Sequence, residues 1–69
     1  MKYDLVGVSG NAFSVMSYVL CAMKDCKMSR ADLDAYKQDA MSSDYYHLIN
    51  VSVDMIAKCN KAYKKMLRK

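Results

Sequence analysis

The sequence predicts a mostly α domain in which a short N-terminal strand precedes three helices, the last of them long and basic at its end. Three observations carry this. Apolar residues recur at three- and four-residue steps over most of the chain, the period of a helix packed on one face. Asn11, Ser29 and Ser43-Asp44 each stand just ahead of such a run, where a helix N-cap belongs. Proline is absent, and only two glycines punctuate the 69 residues. A chain this short is a single domain over residues 1–69, near the lower limit for folding alone. Multi-domain enzymes, cofactor-spanning α/β folds and repeat arrays are excluded by size, and at 54% apolar the chain is not a disordered one.

Residues 2–8 hold the β-formers Tyr3, Leu5, Val6 and Val8 and read as a strand. A lone strand leaves its backbone donors and acceptors unpaired, and no second strand candidate exists. Either this segment packs on the helices as extended chain, or it pairs with the same strand of another copy. The second option makes the protein a homodimer with Tyr3, Leu5, Val6 and Val8 as the dimer contact. Seven methionines fit that expectation, since flexible thioethers suit adaptable interfaces as well as irregular cores.

The first helix is expected over residues 11–26, with two adjoining apolar stripes: Phe13, Met16, Leu20, Met23 and Ala12, Val15, Val19, Ala22, Cys26. Only Ser14, Ser17 and Lys24 mark a wet face, so this helix reads as the central one. The second is expected over 29–42. Ser29 and Asp32 form a capping-box relative, Met28 and Leu33 sit where a hydrophobic staple closes, and Leu33, Tyr36, Ala40 and Met41 make the buried stripe. The third is expected over 44–67, with Tyr45, Leu48, Ile49, Ser52, Met55, Ile56, Cys59, Ala62, Tyr63 and Met66 inward. At ~1.5 Å per residue it spans roughly 36 Å, so its last two turns are expected to project.

Charge is divided along the chain. Residues 1–57 carry five basic side chains and seven aspartates, a net of −2, while residues 58–69 carry six basic side chains and no acid. On a helical wheel Lys58, Lys61, Lys64, Lys65, Arg68 and Lys69 fall within an arc of about 140°. Such a face can be a solvated surface complementing the helix C-terminus, a dock for an acidic protein, or a track for a phosphate backbone. Tyr46, His47 and Asn50 fall off the core stripe and join it as candidate partner-binding residues.

Chemistry of other kinds finds little footing. His47 is the only histidine; a metal site draws on three or four ligands at recognisable spacing, and a cysteine nucleophile needs its histidine nearby. Cys59 lies three helical turns from His47. No phosphate-binding, hydrolase or zinc motif is present. The expectation is therefore a non-enzymatic protein with no catalytic, metal or cofactor residues. The odd count of Cys21, Cys26 and Cys59 indicates buried thiols in a reducing cytoplasm. No signal peptide or membrane span is expected.

Gly10-Asn11-Ala12-Phe13 after the strand, and Ser42-Ser43-Asp44-Tyr45-Tyr46-His47-Leu48 opening the last helix, resemble a group of short proteins from phages and mobile elements of low-GC Gram-positive bacteria. That group pairs a GNAF-type helix start with an SGDYDHL-type segment. The resemblance covers about residues 5–50, departs from the group at Ser43 and Tyr46, and implies a phage-like origin without an activity. The expected function is then a small non-enzymatic binding protein. It would dock on a host protein or ribonucleoprotein machine and block it, as an anti-defence or anti-CRISPR-like inhibitor does. Tyr46, His47, Asn50, Lys58, Lys61, Lys64, Lys65 and Arg68 would make the contact. The alternative is a nucleic-acid-binding accessory protein using the same lysines on phosphates.

Overall fold

A computed structural model of the protein describes residues 3–5, 7, 8 and 10–67. It contains three helices: α1 (Ala12–Asp25), α2 (Arg30–Ala40) and α3 (Tyr45–Leu67). Each begins where a side chain can cap it. Asn11 Oδ1 accepts from the N–H groups of Phe13 and Ser14, Ser29 Oγ accepts from Asp32 N–H at 3.1 Å, and Asp44 Oδ1 accepts from His47 N–H at 3.0 Å. These bonds satisfy donors that a helix start otherwise leaves orphaned.

Three cross-links set the directions. Tyr45 Oη donates to Gly10 O at 2.6 Å, and Cys26 Sγ donates to Cys59 O at 3.3 Å, so α1 and α3 run parallel. The hydroxyls of Tyr36 and Ser52 meet at 2.7 Å, and His47 Nε2 meets Asp39 Oδ1 at 2.9 Å, so α2 runs against both. The result is an up–down–up bundle. Its core is Val15, Met16, Val19, Ala22 and Met23 of α1, Tyr36 and Ala40 of α2, and Leu48, Ile56 and Cys59 of α3, with Tyr3 from outside the helices. Ser52 is fully buried, and its bond to Tyr36 avoids the cost of an unpaired hydroxyl. Burial raises the Tyr36 phenol above its ordinary value, an effect that the Ser52 bond partly offsets.

The expected strand at 2–8 is absent among the described residues. Tyr3 N–H donates to Asn60 Oδ1 at 2.8 Å, and Asn60 Nδ2 donates back to Tyr3 O at 3.0 Å. One side-chain amide thus supplies both bonds that a neighbouring strand would have supplied. Asp4 N–H is taken by Tyr18 Oη at 2.9 Å. Leu5–Val8 then close a turn through Val8 N–H to Leu5 O, with Gly7 at φ 88°, a conformation that glycine adopts without strain. The segment descends from the level of Asn60 to that of Tyr45, against the direction of α1 and α3. Of the residues expected to contact a second copy, Tyr3 is only 5% exposed and its backbone is used within the chain; Leu5 and Val8 are half-buried against the same core. Val6 lies outside the described residues.

Tyr3 also shortens the projection expected of α3. Its ring packs edge-on against Tyr63, centroids 6.0 Å apart and planes at 75°, so Tyr63 is partly covered and the exposed end of the helix begins at Lys64. Burial pushes the Tyr3 phenol well above its usual range.

The end of α1 departs from its usual chemistry. Met28 N–H reaches Met23 O and Lys27 N–H reaches Lys24 O, closing a Schellman turn with Lys27 at φ 60°, where glycine is usual. A side chain there costs about 1–2 kcal/mol. Lys27→Gly should therefore raise stability by about 1 kcal/mol, or about 4–8 °C in melting temperature followed by circular dichroism. A lower melting temperature would mean that the Lys27 side chain itself holds the turn.

Candidate functional site

Seven of the eight residues expected to bind a partner lie within the described chain, and all seven are on α3. At 100° per residue Tyr46, His47, Asn50, Lys58, Lys61, Lys64 and Lys65 fall on the side opposite Leu48, Ser52, Ile56 and Cys59. The core packing therefore turns them outward together. All are exposed except His47, which is half-buried. Arg68 lies outside the described residues.

Two of these residues have local roles. His47 is committed to Asp39, clasping the end of α2 to the start of α3. Its pKa is raised, first by that hydrogen bond and further by the charges of Asp39 and Asp44. Lys58 shares a groove of about 460 Å³ between α2 and α3 with Asp32, Asp39 and Asp54. The basic row proper is thus Lys61, Lys64 and Lys65, with Lys58 beside acidic neighbours.

Besides Met66, 39% exposed in the last turn of α3, three residues expected in the core are outside it. Phe13 is 76% exposed, Met41 is 66% exposed, and Tyr45 is partly exposed; Tyr46, at 79%, stands beside Tyr45 in sequence. All four emerge at one end of the bundle, where α1 and α3 begin and α2 stops. The misassignment of Phe13 has a simple cause. It precedes Ser17 by four residues and Cys21 by eight, so the helical period groups it with that wet face rather than with Val15, Val19 and Ala22. Cys21 is likewise exposed, contrary to the expectation for all three thiols. The apolar end was legible in one respect, the placing of Tyr46 off the core stripe.

A further groove of about 290 Å³ lies between the N-terminal segment and α3, lined by Leu5, Val53, Ile56 and Ala57 with Tyr3, Asp4 and Asn60. Val53 is 52% exposed beside it. Cys59, at the core end of α3, is a buried thiol whose pKa is pushed up to about 12, chiefly by burial and then by Cys26. Among the described residues no group of three or more His, Cys or Asp side chains could hold a metal ion, and no helix is long and apolar enough to cross a membrane. No protein-family model, curated protein or solved structure matches this chain.

Proposed function

We propose that this chain is a small phage-type binding protein of the host cytoplasm, one that acts by docking on a host protein or ribonucleoprotein machine and blocking it. The observation that carries this reading is the apolar end of the bundle. Phe13, Met41, Tyr45 and Tyr46 stay exposed at one end of a chain that has few apolar side chains to spare for its core. Aromatic rings and methionine left in water are the side chains that dominate protein–protein contacts once desolvated. The lysines of α3 sit at the other end, where positive charge steers association with an acidic surface. The choice of a defence machine as target comes from the phage-like resemblance.

The test is functional. Expressed in a bacterium with an active defence nuclease, the chain should raise phage plaque counts. Phe13→Ser combined with Met41→Ser should abolish that effect while circular dichroism stays unchanged, because both side chains are already exposed. Lys61, Lys64 and Lys65 favour nucleic acid as a second reading. It predicts duplex binding that weakens steeply with salt and falls further in Lys61→Ala with Lys65→Ala. Binding of that kind, insensitive to Phe13 and Met41, would replace the docking reading.

A further inference from the structure

We propose that the exposed stripe of α3 is a self-association surface, on which a second copy of this chain packs antiparallel about a two-fold axis level with residue 55. The stripe is Tyr46, Asn50, Val53, Ala57, Lys61 and Lys64, spaced four, three, four, four and three residues apart, the spacing of a helix–helix seam. Tyr46 and Lys64, and Val53 and Ala57, lie at equal distances on either side of residue 55, and Asn50 and Lys61 miss that symmetry by one residue. Antiparallel pairing sets Val53 of each copy against Ala57 of the other, Asn50 against Lys61, and Tyr46 against Lys64, a cation over an aromatic face. The middle is also where the surface is apolar, since the groove of Leu5, Val53, Ile56 and Ala57 opens there. Ala57, exposed and small, lets the two helices approach closely.

Charge selects the second copy as the occupant, and selects its direction. From Asp39 to Ala57 the chain holds Asp39, Asp44 and Asp54 and no lysine or arginine; from Lys58 onward it holds only lysines and arginine. Parallel pairing would set the lysines of one copy on those of the other, whereas antiparallel pairing sets them on the half of α3 that carries no lysine or arginine. Asp54 and Lys58 lie on one flank of the stripe, four residues apart. The register that joins Val53 to Ala57 therefore brings Asp54 of each copy to Lys58 of the other, twice by symmetry. In the dimer Tyr46 belongs to the seam, and the ends bearing Phe13, Met41 and Tyr45 point away from each other, which would offer two docking surfaces. The inference does not rest on the docking proposal.

The test is solution mass against concentration. A seam one helix long is small, so a dissociation constant on the order of 1–100 µM is expected, with the mass rising from 7.9 kDa toward twice that value. Ala57→Glu should raise that constant at least about tenfold while leaving helicity unchanged. Asp54→Lys should weaken the dimer, and Asp54→Lys with Lys58→Asp should restore it. Salt raised from about 0.01 M to 1 M should weaken the unmodified pair. A chain that stays at 7.9 kDa at high concentration in low salt overturns the proposal. So does a dimer that survives Ala57→Glu, and failure of the charge swap to restore pairing overturns the antiparallel register. Phe13→Ser with Met41→Ser leaves the mass unaffected, so loss of docking and loss of the dimer are read separately.

Discussion

Met23→Ala should remove about 2–5 kcal/mol of the chain's stability. Met23 is fully buried in the last turn of α1, in one core with Val19 and Cys59. Truncating a buried methionine costs about 2–5 kcal/mol, because the lost contacts add to a cavity that the surroundings only partly fill. A chain of this length is stable by roughly 3–10 kcal/mol in all. One substitution therefore removes from about a fifth of the total to all of it. The control is Met41→Ala, which removes the same atoms from a side chain 66% exposed and should shift stability by less than about 0.5 kcal/mol. Urea unfolding at fixed protein concentration measures both. Equal shifts for the two variants would mean that Met23 is not in the core.

Asn60→Ala should cost about 1–3 kcal/mol, the loss of two hydrogen bonds to a backbone that has no other strand to turn to. The effect should be local. The three helices keep their caps and cross-links, whereas the N-terminal segment loses the amide that holds Tyr3 N–H and C=O. Limited proteolysis should cut that segment faster in the variant, and amide exchange at Tyr3 should rise with it. Asn60→Asp should not rescue, because a carboxylate keeps the acceptor for Tyr3 N–H but faces Tyr3 O with no donor. Wild-type protection of Tyr3 in Asn60→Ala would show that ring packing on Tyr63 suffices to seat the segment.

These two residues mark what could be read in one dimension. Met23 belongs to an apolar stripe with helical period, and its burial follows from spacing alone. Asn60 carries no such signal. A polar residue on a long helix reads as solvated until the fold brings Tyr3, 57 positions away, to its side chain. The N-terminal β-formers were correctly seen as needing a partner. That Tyr3 meets a side-chain amide on α3 is a fact of packing. His47 is a similar case, since its place at the start of α3 was legible but its pairing with Asp39 required the end of α2 to lie alongside.

By itself the sequence determined three helices, their caps at Asn11, Ser29 and Asp44, the division of charge along the chain, and the outward face of α3. All of these depend on neighbours within one or two helical turns, where backbone geometry alone sets which side chains meet. Tertiary structure decided the rest: that both apolar stripes of α1 are covered from Val15 to Met23, while Phe13 at its start stays in water with Met41, Tyr45 and Tyr46. A helix with two apolar faces offers both to the core. α2, α3 and the N-terminal segment cover both beyond the first turn, and Phe13 in that turn lies outside their reach.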